Sequence, residues 1–519
     1  MSNSEPPAPP LKPGAPTDDT AFFGHPRGLS TLFFTEMWER FSYYGMRAIL
    51  ILYMTAASAA GGLGYSDKQG GLVYGIYTGS VYVLSLLGGW VADRFIGQRK
   101  AVLWGGIAIT MGHVFLAIPA VPTFFVGLIF IAFGTGFLKP NISTIVGQLY
   151  AEKDERRDAG FSIYYMGINI GAGTAPYVVG FLAQSETFRG WLASAGITPE
   201  TAWHFGFGAA AVGMALGVVQ YVAGGRRLKD AGLHPTPPKD AAEAARNRKR
   251  LVTVVACIVG FPMLVALVGA TGLVELTEDR VTYGTLVLLL LIAAGFFFAM
   301  FTVAKWTPGE RRRIIAILAL FFGATFFFSV FEQAGSTFNL FADRYSENSV
   351  FGFSFPSSYW QGVNSAFIIL LAPVFAAIWT FLARRHKDPP WPYKFALGLI
   401  LVAAGCLIMF PGGKIGEAGG KAGDHYLLML YFLHTCAELC LSPVGLSSTT
   451  RVAPKQIAGL AMGVWFMGTG IGNYLSGMYA GWTGALPLGQ LFVTMAIPPL
   501  LAGVLFLLLG RPLRRVSEA

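Results

Sequence analysis

The stretch FFTEMWERFSYYGMRAILILYM, Phe33 to Met54, decides the fold. It has the length and apolar flanks of a membrane-spanning helix, yet it carries Glu36, Glu39, Arg40 and Arg47 where hydrocarbon should be. Charged side chains at membrane depth cost several kcal/mol each, so they are tolerated mainly where they face a protein interior or a water-filled cavity. At about 100° per residue, Glu36, Glu39, Arg40, Tyr43, Tyr44 and Arg47 occupy an arc of roughly 140°. Met37, Trp38, Phe41, Gly45 and Met46 fall on the opposite face. The helix is therefore read as one wall of a polar cavity.

Working outward, the 519 residues are 54% hydrophobic and 13% charged, and the mean hydropathy is +0.55, which excludes an ordinary soluble globular protein. The net charge of +10 would suit nucleic acid, but the basic residues are spread over short loops between apolar runs, so no nucleic-acid partner is expected. Cys257, Cys406, Cys436 and Cys440 sit inside apolar runs and read as packing residues instead of a disulfide framework. Residues 1–27 are polar and rich in proline, without the basic and apolar regions of a cleaved signal peptide, and are expected to form a disordered tail.

Apolar runs of spanning length occur near 29–57, 70–96, 100–119, 121–150, 158–185, 201–223, 250–273, 281–305, 312–341, 357–383, 393–411, 425–450, 457–482 and 488–510. An all-α membrane protein with 14 transmembrane helices follows. When alternate loops are assigned to alternate sides, about 29 of the 38 Lys and Arg residues fall on one side, about 6 on the other and three inside spans. That bias places both termini in the cytoplasm. The segment 224–249 is the longest loop and reads as a cytoplasmic linker. It divides a six-helix bundle at 28–223 from an inserted hairpin at 250–306, a second six-helix bundle at 307–510 and a tail at 511–519. Basic loops recur after corresponding spans, Asp93 to Lys100 and Arg384 to Lys387, as in transporters built from structural repeats with a midplane site between them.

Ionisable residues deeper in the spans are few: Lys139, Glu332 and Glu438, with His113 and His434. The cations Arg40, Arg47 and Lys139 belong to the first half, whereas Glu332 and Glu438 belong to the second. Buried ion pairs are poor stabilisers beside apolar packing, so a merely structural purpose explains this set badly. A zwitterion with separated charges could bridge the halves. Carboxylates whose partners change as a cavity opens also change their protonation, which fits proton coupling. Tyr43, Tyr44, Tyr82, Phe328 and Trp465 would singly suit core packing, but around a charged cavity they could form tolerant side-chain pockets.

No metal site is expected. His434, Cys436, Glu438 and Cys440 alternate along a helix, so successive side chains point roughly 200° apart and cannot converge on one ion. Gly468, Gly470 and Gly472 lack the strand–turn–helix setting of a nucleotide loop, and no nucleophile with an adjacent base is found, so neither an ATP-driven pump nor an enzyme is expected. A sensor would want a sizeable soluble domain, which the short loops do not supply.

These residues resemble the proton-coupled oligopeptide transporter family of the major facilitator superfamily. Glu36-x-x-Glu39-Arg40 with Phe41, Tyr43, Tyr44 and Arg47 is similar to its first-helix signature, and GGWVADRFIGQRK at 88–100 resembles the superfamily loop between spans two and three. FLKPNIS at 137–143, FSIYYMGINIGAG at 161–173 and AELCLSPVGLS at 437–447 resemble further family motifs. The resemblance implies a major facilitator fold and proton-driven symport of di- and tripeptides by alternating access, with no cofactor and no obligate protein partner. It implies that Arg40, Arg47 and Lys139 meet the peptide carboxylate, and that Glu438, Asn169 and Asn364 meet the amino group. Glu36, Glu39, Arg40, Lys139 and Glu332 would then couple proton movement to gating, and the five aromatics would line side-chain pockets. Phe328 departs from the Trp frequent at that position. The short loop before the tenth span lacks the large extracellular domain of animal members, so a bacterial inner membrane is expected. The alternative is a related carrier for nitrate or another small anionic metabolite.

Overall fold

The computed structural model describes residues 19–151 and 154–518. The expected disordered tail therefore lies outside the described residues as far as residue 18. Residues 20–26, expected within that tail, instead form a turn in which Phe22 and His25 bridge each other, and Arg27 already belongs to the first helix. Helices follow almost without interruption: α1 Arg27–Thr55, α2 Asp67–Val91, α3 Gln98–Leu116, α4 Val121–Gln148, α5 Arg156–Gln184, a short α6 Glu186–Ser194, and α7 Ala202–Gly224. The hairpin is α8 Ala241–Ala270 and α9 Glu278–Thr302. The second half contains α10 Pro308–Phe331, a short α11 Thr337–Tyr345, α12 Trp360–Arg384, α13 Trp391–Glu417, α14 His425–Val452, α15 Ala458–Gly481, α16 Leu488–Leu508 and α17 Gly510–Glu518. A two-stranded ribbon, β1 Ser349–Val350 with β2 Phe353–Ser354, sits in one loop.

Fourteen of these helices have 19 residues or more, and eleven are long and apolar enough to cross a membrane on their own. The other three are α1, which its charges disqualify on composition, α3 and α15. All three pack lengthwise among the spans: α1 against α5 and α7, α3 against α4, and α15 against α2 and α10. Association in lipid gains little from the hydrophobic effect and depends on close backbone approach at small residues. In α1, Gly45 provides it: a Cβ there would lie 2.7 Å from Val179 of α5. Most of α1 is buried, and much of its apolar face is covered because Trp38 and Phe41 pack on Gly217 and Gly213 of α7. The charged arc is thus part of a helix most of whose residues are buried by protein.

The halves meet along α2 and α15 and along α5 and α12. A Cβ at Gly75 would lie 2.8 Å from the Tyr474 carbonyl oxygen, so α2 and α15 touch backbone to backbone there. On the side away from the arginine-rich loops the contact is also polar. Arg344 forks onto both Asp67 oxygens at 2.7 Å each, and Gln184 Nε2 donates to Ser357 Oγ at 3.0 Å. These contacts tie the halves together on that side of the midplane.

Two expected boundaries change. The run 312–341 is not one helix: α10 stops at Phe331, a single tight turn covers Glu332–Gly335, and α11 restarts at Thr337. Its hydropathy does not betray the break, because the backbone groups released there are satisfied from elsewhere. Gln333 Nε2 donates to Ser329 O at 2.8 Å, and Arg47 Nη2 donates to the Glu332 carbonyl at 3.0 Å. Secondly, α8 begins at Ala241, inside the expected linker, where the Asp240 side chain accepts from the Glu243 amide at 2.5 Å and caps it. The hairpin rides on the perimeter. No residue of the most apolar stretch of α8 is buried, and Cys257 is exposed on it; α9 is held by Tyr474 Oη donating to Thr282 O at 2.7 Å and by Lys68 Nζ at 2.7 Å from Asp279.

Candidate functional site

At the break between α10 and α11 a second ion pair joins the two halves. Arg47 Nη2 lies 2.7 Å from Glu332 Oε2, with both side chains less than 10% exposed. The same guanidinium donates through Nε to Tyr74 Oη at 2.8 Å and stands over the Tyr44 ring, 5.8 Å from its centroid. Gly335 makes this arrangement possible, since a Cβ there would collide with Tyr74 Oη and Arg47 Nε. Arg47 thus closes a broken helix and neutralises its first carboxylate.

The second cation, Arg40, is engaged within α1. Its Nε donates to Glu36 Oε1, one turn back, at 2.7 Å. Glu39 Oε2 lies 2.8 Å from the same nitrogen without accepting its hydrogen, so that contact is charge against charge. Among the described residues, Glu36 Oε2 and both Glu39 oxygens have no hydrogen-bond partner although they are buried. Two carboxylates on one guanidinium leave an excess negative charge. Lys139 makes no ion pair among the described residues; its Nζ rests on the face of Tyr82, 4.3 Å from the ring centroid.

Beside the Arg47–Glu332 pair lies a cavity of about 140 Å³ between α1, α5, α10, α12 and α14. Six expected site residues line it: Tyr44, Arg47, Asn169, Glu332, Asn364 and Glu438. Glu438 Oε2 accepts from Asn364 Nδ2 at 3.2 Å, and Asn364 also donates to Thr435 Oγ1 at 3.0 Å. No cation pairs with Glu438 among the described residues, so its carboxylate is held by a neutral amide alone. The lining therefore holds two carboxylates against one guanidinium. A cationic group or a proton would restore balance, and in a low-dielectric cavity that imbalance is consequential.

The remaining expected residues lie off this lining. Arg40, Glu36 and Glu39 form the cluster described above, and Lys139 and Tyr82 form another. Phe328 and Trp465 meet edge to face with centroids 6.5 Å apart, and Tyr43 packs on Tyr44. Conversely, sequence reading passed over Tyr74, which orients Arg47, and the neutral lining residues Tyr165, Gln361 and Tyr431. Tyr74 carried a faint signal, since it stands in the run Gly71, Gly75 and Gly79 that carries α2 against α15. His434 and Glu438, one turn apart on α14, share the cavity wall, and His434 Nε2 is already bonded to Val402 O at 3.1 Å.

The chain as a whole has known counterparts. A di-/tripeptide transporter of Lactococcus lactis subsp. cremoris is 36% identical over 510 residues, covering 96% of this chain and 98% of that one. A crystal structure of a peptide transporter, POT, in complex with sulfate superposes with a TM-score of 0.86 at 38% identity, over 96% of this chain and 97% of the other. A POT family transporter crystallised with 5-aminolevulinic acid matches with a TM-score of 0.84 at 33% identity, covering 95% and 98%. The family is one of transporters and not of enzymes, and these matches assign the major facilitator architecture. With the POT family model matching residues 99–490 as well, the chain belongs to the POT family.

Proposed function

We propose that the chain is a proton-coupled symporter that carries di- and tripeptides across a bacterial inner membrane, with both termini in the cytoplasm. One observation carries the reading: Glu438, without a cation of its own among the described residues, lines the same cavity as the Arg47–Glu332 pair. A peptide zwitterion fits that polarity, its ammonium on Glu438 beside Asn364 and Asn169, its carboxylate toward Arg47 with Arg40 and Lys139 in reserve. For Arg47 to receive the carboxylate it must leave Glu332. Moving a proton onto Glu332 Oε2 removes the charge that holds it, so protonation and peptide binding favour the same rearrangement. A ligand can shift a conformational equilibrium only through such differential affinity.

Glu36, Glu39, Arg40 and Lys139 would supply a second coupling point on the arginine-rich side, where orphaned carboxylate oxygens await a proton or the Lys139 ammonium. Tyr43, Tyr44, Tyr82, Phe328 and Trp465 would border the peptide side chains. The bundles at 28–223 and 307–510 would rock about this site, with the linker and the hairpin between them in sequence. No cofactor is required, since the proton is the coupling ion. The alternative, carriage of nitrate or a comparable anion, is disfavoured by Glu438, which would repel such a solute.

The test is a competition panel on the purified protein. Dipeptides and tripeptides should displace a labelled dipeptide, whereas nitrate in large excess should not. Displacement by nitrate alone would replace this reading with the anion carrier.

A further inference from the structure

We propose that a groove between the start of α10 and α17, remote from the peptide cavity, binds the phosphodiester headgroup of an anionic lipid. The groove has a volume of about 770 Å³ and carries Arg312, Arg313, Arg511 and Arg515. None of the four makes an ion pair among the described residues. Among the described residues the single carboxylate on its lining, Glu310, is committed locally: its Oε2 accepts from the Thr307 amide and hydroxyl at 2.9 Å each, in the capping box that starts α10. Among the described lining residues an excess of three positive charges remains. Guanidinium groups lining one hollow match a phosphodiester, whose two non-bridging oxygens can accept paired N–H donors from a guanidinium fork.

The surroundings favour a lipid over a free phosphate ion. The arginines stand at the rim of the membrane-spanning region, on the arginine-rich side. Immediately toward the midplane the surface is apolar and uncovered, with Ile315 55% and Leu508 74% exposed. A headgroup in the groove would leave its acyl chains against this surface, whereas a free anion would gain nothing from it. Basic pockets at helix ends on the arginine-rich face are a recurrent way of holding such lipids, each basic residue strengthening attraction by a modest increment. The α17 helix reaches this position because Leu513 is buried and anchors its apolar side against the bundle.

Native mass spectrometry of the full chain in detergent, titrated with phosphatidylglycerol or phosphatidylcholine, tests the proposal. Phosphatidylglycerol should bind in preference to phosphatidylcholine. The double variant Arg312→Gln/Arg515→Gln should weaken its binding by roughly thirty-fold. The double variant Arg384→Gln/Arg385→Gln, on another loop of the same face, should leave it unchanged. Inorganic phosphate in tenfold excess should not displace the lipid. Equal binding of the two lipids, unweakened binding to the first variant, or displacement by inorganic phosphate would each overturn the proposal. On the unmodified protein, photoactivatable phosphatidylglycerol should label the first turns of α10 and α17; labelling confined to other helices would likewise refute it.

Discussion

Replacing Glu438 by Gln separates charge from shape at the proposed ammonium site. The Gln carbonyl oxygen can still accept from Asn364 Nδ2, now 3.2 Å from Glu438 Oε2, and Asn364 keeps its bond to Thr435 Oγ1 at 3.0 Å. The cavity should therefore keep its form while losing its one carboxylate without a cation. Removing one member of a buried, hydrogen-bonded charge pair costs about 2–5 kcal/mol. The lower part of that range applies, since the amide oxygen still accepts a hydrogen bond from an ammonium, which leaves a loss of about 2–3 kcal/mol. That converts to roughly 30- to 150-fold weaker binding of a free dipeptide. An N-acetylated dipeptide has no ammonium, so its already poor affinity should change by less than about threefold. Isothermal titration of both ligands against both proteins supplies the four values of a thermodynamic cycle. Equal losses for the free and the blocked peptide, or no loss for the free one, would refute the assignment of Glu438 to the amino group.

Further expectations follow from the contacts around this site. Gly335→Ala should push Tyr74 and Arg47 apart, since the new methyl meets Tyr74 Oη and Arg47 Nε; a loss of roughly 1–3 kcal/mol in thermal unfolding, larger than for Gly309→Ala on the exposed start of α10, would register it. Asp67→Asn removes the charge from a partly exposed bidentate pair, worth on the order of 1 kcal/mol, and should speed alkylation of a cysteine placed at Thr55 by about fivefold; an unchanged rate would show that Arg344 does not hold that side shut. His25 has its pKa lowered by burial and then by the nearby Arg156 charge, while its Nδ1 meets Tyr150 Oη at 2.9 Å. The undocked segment therefore takes up a proton more readily than the docked one. Docking should be complete above about pH 6.5 and weaken as pH falls below it, read as faster amide exchange over residues 22–30; pH-independent exchange, after correction for the intrinsic rate, would contradict this.

The architecture was legible because the membrane imposes a simple signal, apolar length. The start of α8 was legible in principle too, since Asp240 precedes Glu243 by three residues in a run rich in helix formers. The break after Phe331 was not, because its freed carbonyl is satisfied by Arg47, 285 residues away. Within the site, charge was the readable feature. Arg47, Glu332 and Glu438 stand out against an apolar background, and the structure gathers them around one cavity. Tyr74, Tyr165, Gln361 and Tyr431 are neutral and resemble ordinary span residues, so only the fold reveals what they face. The sequence also could not apportion the cations. Arg40 is held by its own helix and Arg47 already bridges the halves, whereas Lys139 rests on an aromatic ring.

Coupling to protons is the central claim, and uptake into liposomes tests it most directly. Purified protein is reconstituted, and accumulation of a labelled dipeptide is followed with and without an inward proton gradient. The account predicts concentrative uptake only when the gradient is imposed, collapse of that uptake on adding a protonophore, and its loss in Glu332→Gln while peptide binding persists. Concentrative uptake at equal pH on both sides with no membrane potential, indifferent to the protonophore, would contradict it.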